Sequence, residues 1–84
     1  MKTYLLSISS PDGTVFREEV QNLVARGVGG DLAIMAGHTP FVTSLKPCTI
    51  KIELPDNTTK TAKVDGGLLT VTKEGARILT GSYR

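Results

Sequence analysis

Seven Val, five Ile and eleven Thr among 84 residues constrain this chain more than any other feature it has. Their side chains branch at Cβ, which costs rotamer freedom in a helix and suits a pleated sheet. Helix formers other than Leu are scarce, with five Ala and one Gln, while nine Gly and four Pro interrupt the chain at short intervals. Stiff β-branched runs cut by turn residues predict an all-β fold of many short strands with no substantial helix. No segment sustains a 3.6-residue apolar period, and no internal repeat is present.

The strands can be read in order. Tyr4, Leu6 and Ile8 alternate with Leu5 and Ser7, which predicts a strand from Tyr4 to Ser9. Ser10-Pro11-Asp12-Gly13 is a turn: Pro presets φ, Asp bonds its own backbone and Gly accepts a positive φ. Val15 to Ala25 carries the alternating set Val20, Asn22, Val24, with Leu23 on the other face. Gly27-Val28-Gly29-Gly30-Asp31 is a loop, and Leu32 to Met35 is short and buried. Gly37-His38-Thr39-Pro40 is a constrained turn, since Pro40 pushes Thr39 toward extended geometry. Phe41 to Leu45 is a strand closed by Lys46-Pro47. Ile50, Ile52 and Leu54 then face inward, Pro55 to Thr58 turns, and Thr59 to Val64 returns with Ala62 and Val64 inward. Asp65-Gly66-Gly67 and Lys73 to Ala76 are further turns, flanking strands at Leu68 to Thr72 and Arg77 to Thr80. Eight to ten strands at this spacing predict a sandwich or barrel, and 84 residues leave room for one core, so one domain is expected over 1–84.

Composition removes several functions. Ten Lys and Arg against eight Asp and Glu leave a charge of +2, too weak for a nucleic-acid footprint. One Cys excludes an internal disulfide, and one Cys with one His excludes an all-Cys/His zinc site within the chain. The longest apolar stretch, near Leu32 to Gly37, falls well short of the roughly 18 residues of a spanning helix. Met1-Lys2-Thr3 leads into alternation rather than a signal peptide's apolar block, so a cytosolic chain is expected. Cys48 with His38 is the one conceivable nucleophile–base pair, and nothing in the sequence brings them together. Asp56 and Asp65 sit in turns, where Asp serves the backbone. The loop at Gly27 to Asp31 has no helix behind it to bind a phosphate. Lys46, Lys51, Lys60 and Lys63 are interrupted by Glu53 and Asp56. No catalytic constellation, metal site or cofactor site results. Two loops carry specific residues on constrained backbone and are the candidate functional surface: Gly29-Gly30-Asp31 and Gly37-His38-Thr39-Pro40.

The segment from Gly30 to Pro47, Gly-Asp-Leu-Ala-Ile-Met-Ala-Gly-His-Thr-Pro-Phe-Val-Thr-Ser-Leu-Lys-Pro, resembles the signature of the epsilon subunit of the F-type ATP synthase (delta in mitochondria). That family reads G-[ED]-L-x-I-x-P-G-H-x-P-L-x-T-x-L-K-P-G. Leu6 to Gly13 with Phe16 looks like its first hairpin, Asp65 to Val71 like its S-G-G-F-L-E-V segment, and Arg77 to Thr80 like its final strand. The resemblance implies a flattened antiparallel β-sandwich of about ten short strands. It implies a non-catalytic central-stalk subunit, without cofactor or metal, that couples proton or sodium flow to ATP synthesis. Its partners would be the gamma subunit and the c-ring, placing it peripherally at the cytoplasmic face of the cell membrane.

Residue by residue, the match assigns Val28, Gly29, Gly30 and Asp31 to the c-ring and His38, Pro40, Phe41 and Thr43 to gamma. Ala36 replaces the family's Pro, which predicts a less rigid loop. Cys48 replaces its Gly, a strained choice if φ is positive there. Thr70 stands where Glu is common. The chain stops at Gly81-Ser82-Tyr83-Arg84, before the family's two regulatory helices, so helix-mediated inhibition of ATP hydrolysis is not expected of these residues. Two readings from other classes stay open: a small β-barrel binding single-stranded nucleic acid or a small ligand, and a minimal hydrolase using Cys48 and His38.

Overall fold

Turn chemistry and alternation set the strands of the computed structural model, which describes residues 2–37 and 39–83. The strands are β1 (Tyr4–Ser10), β2 (Gly13–Val20), β3 (Asn22–Gly27), β4 (Gly30–Met35), β5 (Phe41–Glu53), β6 (Thr59–Thr72) and β7 (Gly75–Leu79). No helix occurs among the described residues. They hydrogen-bond in the order β2-β1-β7-β6-β5-β3-β4. Every pairing is antiparallel except β1 with β7, which is parallel from Leu5↔Gly75 to Ser9↔Leu79.

The described residues form seven strands rather than about ten, in part because two of them do not stop where Pro and Gly suggested. β5 runs through Lys46-Pro47 and β6 runs through Asp65-Gly66-Gly67. Phe41, Thr43 and Leu45 turn toward the core in the first half of β5, then Cys48, Ile50 and Ile52 in the second. β6 shifts phase at the same place, from Ala62 and Val64 to Leu69 and Val71. Leu45↔Gly67 and Pro47↔Asp65 stay paired on either side of this point. A shared phase change in two paired strands is a corner. Gly66 and Gly67 make it possible, at φ 81° and 145°.

The corner folds the sheet into two facing layers. The first holds β2, β1, β7, the second half of β6 and the first half of β5. The second holds the first half of β6, the second half of β5, β3 and β4. Leu6, Ile8, Phe16, Val20, Leu69, Val71 and Ile78 from the first layer meet Leu23, Ile34, Ile50, Ile52 and Val64 from the second in one buried cluster. Each such side chain contributes roughly 1.5–3 kcal/mol by leaving water. The Tyr4 hydroxyl crosses between the layers to donate to the Ile34 carbonyl at 2.7 Å.

A second crossing lies at Gln21, between β2 and β3. Its amide donates to the Leu54 carbonyl (2.9 Å) and to Asn57 Oδ1 (2.8 Å), and its N–H to the Glu53 carbonyl (2.9 Å). The break reverses the alternation expected over Val15 to Ala25. Leu23 and Ala25 are buried, while Asn22 and Val24 are only half-buried.

Candidate functional site

Asn22↔Met35 through Gly27↔Gly30 pair without interruption, leaving Val28 and Gly29 alone in the β3–β4 loop. Gly30 sits at φ 127°, which a side chain would strain. Gly27 lies close on its neighbours: a Cβ there would come within 3.1 Å of Leu32 Cδ2 and 3.3 Å of the Ser44 carbonyl. The Val28 N–H donates to that carbonyl at 3.1 Å. The loop expected at Gly27 to Asp31 is therefore a tight tip held to β5. Val28 projects from it at 62% exposure.

Asp31 faces Arg26 across the hairpin, with Arg26 Nε donating to Asp31 Oδ1 at 2.8 Å. Both side chains are exposed. The hydrogen bond to Asp31, and then its charge, raise the already high pKa of Arg26. Asp31 and Arg26 thus place an exposed pair of opposite charges beside the tip. The sequence reading named Asp31 and missed Arg26. The signal was there, because a two-residue loop between Gly27 and Gly30 puts residues 26 and 31 opposite one another.

The β5 segment follows strand alternation. Phe41 is half-buried against the core, Thr43 is half-buried, and Pro40 is exposed. Val42, between Phe41 and Thr43, points outward at 62% exposure. His38 lies outside the described residues. Pro40 joins Tyr4, Ile34, Met35, Gly37 and Val71 around a groove of about 290 Å³ at one end of the sandwich.

Val42 belongs to a wider surface that sequence reasoning also missed. On the outer face of the first layer, Ser44 pairs with Leu68 and Leu68 with Leu79, while Val42 pairs with Thr70 and Thr70 with Arg77. Leu68 and Leu79 are 40% and 48% exposed. An outward Val and two Leu on adjacent strands form an apolar patch, the composition of a docking surface rather than of a catalytic cleft. Ser44 ends this patch and also holds the hairpin tip, so the two candidate surfaces are continuous.

The remaining candidates disperse. Cys48 lies 3.9 Å from the Arg26 carbonyl. It is not among the described residues with positive φ, so it fits the family's Gly position without the feared strain. Asp56 accepts from Thr58. Asp65 lies within β6. Lys60 covers the buried Phe16 ring at 5.4 Å, so the basic cluster offers no aromatic for stacking a base. Among the described residues, no three His, Cys, Asp or Glu side chains gather in a way that could hold a metal ion.

Residues 3–83 match the family model of the ATP synthase delta/epsilon chain β-sandwich domain. The chain belongs to the ATP synthase delta/epsilon family. It is similar to the sodium-ion-specific ATP synthase epsilon chain of Acetobacterium woodii, at 35% identity over 94% of this chain and 59% of that one. It is also similar to the ATP synthase epsilon chain of Syntrophomonas wolfei, at 31% identity over 92% of this chain and 56% of that one. The chain therefore spans a little over half the length of these curated relatives. Its fold is that of a chain in the Euglena gracilis mitochondrial ATP synthase, OSCP/F1/c-ring complex, with a TM-score of 0.92 at 21% identity. That match covers 98% of this chain and 52% of the other.

Proposed function

We propose that this delta/epsilon domain is a non-catalytic rotor component of an F-type ATP synthase, one folded unit over 1–84 that binds the gamma subunit and the c-ring. It would sit at the cytoplasmic face of the membrane through that complex and help couple ion flow to ATP synthesis. One observation carries the reading: a tight hairpin tip bearing the Arg26–Asp31 pair and an exposed apolar sheet face meet at Ser44. A part that must touch polar ring loops with one surface and a protein shaft with the next needs this adjacency. Val28, Gly29, Gly30 and Asp31, with Arg26, form the ring contact. The segment carrying His38, Pro40, Phe41 and Thr43 forms the gamma contact, and Val42 is its outward side chain.

The test is capture of purified gamma and purified c-ring from the same organism. Asp31→Lys, which sets two cations against each other at the tip, is expected to weaken ring binding about tenfold and leave gamma binding alone. Val42→Asp is expected to do the reverse. Failure of the wild-type chain to bind either partner overturns the reading.

A further inference from the structure

Arg17 on β2 and Arg77 on β7 both pair in register with Ser7 on β1, so the two arginines flank one serine on the outer face of the first layer. Two strand spacings separate their backbones, roughly 9–10 Å. Both are exposed, and among the described residues the ion pair of the chain is Arg26 with Asp31, not either of these. Between them lies a cleft of about 210 Å³ lined by Ser7, Ser9 and Thr14 with Leu5 and Leu79, and no carboxylate. The nearby acids are engaged or at the rim. Glu19 accepts from the Thr3 hydroxyl at 3.0 Å, and Glu74 lines the larger adjoining channel toward the β6–β7 turn, which Arg17 and Arg77 also line.

Two guanidinium forks over a row of hydroxyl groups, beside leucine, is an arrangement that recognises a carboxylate. The apolar patch of Val42, Leu68 and Leu79 lies on the same face, and Leu79 belongs to both. Arginine next to an apolar patch is the usual composition of an interface anchor. We propose that the cleft between Arg17 and Arg77 receives an aspartate or glutamate side chain of the gamma subunit, which fixes how the shaft sits on the sheet. This rests on the rotor reading above and adds the chemistry of the contact. Three adjacent strands, β2, β1 and β7, present the site, so its geometry is set by ladder register rather than by a loop.

The test is the affinity of the whole chain for purified gamma between low and physiological salt. Arg17→Gln and Arg77→Gln are each expected to weaken binding about tenfold, and the double variant is expected to flatten the salt dependence. Lys63→Gln removes the same charge on the outer side of the second layer and is expected to bind as wild type does. Arg77→Lys keeps the charge without the fork and is expected to fall between. If the arginine variants bind like Lys63→Gln, or if wild-type affinity ignores salt, the inference fails and the rotor reading stands. If wild type does not bind gamma at all, both fail.

Discussion

A methyl group at Gly67 would lie 2.1 Å from the carbonyl oxygen of Leu79, on backbone that cannot yield, and φ there is 145°. Gly67→Ala is expected to cost roughly 3 kcal/mol or more in urea denaturation, combining overpacking with backbone strain. Gly29 is the contrast. Nothing lies within 4 Å of a Cβ there, and its φ is ordinary. Gly29→Ala is expected to stay within about 0.5 kcal/mol of wild type. Asp56 gives a residue-level pH effect. The Thr58 hydroxyl and then the Thr58 N–H bond its carboxylate and hold its pKa below the ordinary 3.8. A value depressed in the folded state means stabilisation that is present above the unfolded value and lost as pH falls through the folded one. Thr58→Ala is expected to move the Asp56 titration, followed by NMR, back up toward 3.8. It should also reduce the loss of stability below about pH 4.

Among the elements, the β5–β6 corner decides the architecture, and Thr80 fastens it. The buried Thr80 hydroxyl donates to the Gly66 carbonyl at 2.6 Å and accepts from the Ser82 N–H at 3.4 Å. The Thr80 N–H donates to Ser9, and the Asp65 N–H to Ser82. Thr80→Val leaves a buried carbonyl unpaired and is expected to cost about 1–3 kcal/mol. Hydrogen exchange should accelerate at Asp65 and not in the β1–β2 hairpin. This corner also marks what the sequence did and did not disclose. The Pro55 to Thr58 turn, the inward Ile50, Ile52, Ala62 and Val64, and the first hairpin were legible, because local turn chemistry and period-2 burial agree there. Lys46-Pro47 and Gly66-Gly67 carry the same local chemistry but bend continuous strands, and only the partner strand distinguishes a bend from an end. Gln21 was opaque for a related reason: the alternation passes through it, and its anchors at Leu54 and Asn57 are more than thirty residues away. Asp31 could be picked out from the resemblance. Val42, Leu68 and Leu79 could not, since an exposed apolar face looks like core until the register says which side is out.

For the molecule as a whole, β7 sits between β1 and β6 and, among the described residues, is the only strand that connects the β1–β2 hairpin to the rest of the sheet. Removal of residues 75–84 is expected to abolish cooperative thermal unfolding by circular dichroism, rather than to lower its midpoint by a few degrees. A residual sharp transition would show that the second layer is stable by itself. The long strands carry a further consequence. Because β5 and β6 pass unbroken from one layer into the other, a load on one layer is transmitted along covalent backbone and a ladder that keeps one register on both sides of the corner. The layers cannot slide over each other like the two plates of an ordinary sandwich. The block yields only by shearing that ladder in register, so it behaves as a single stiff lever.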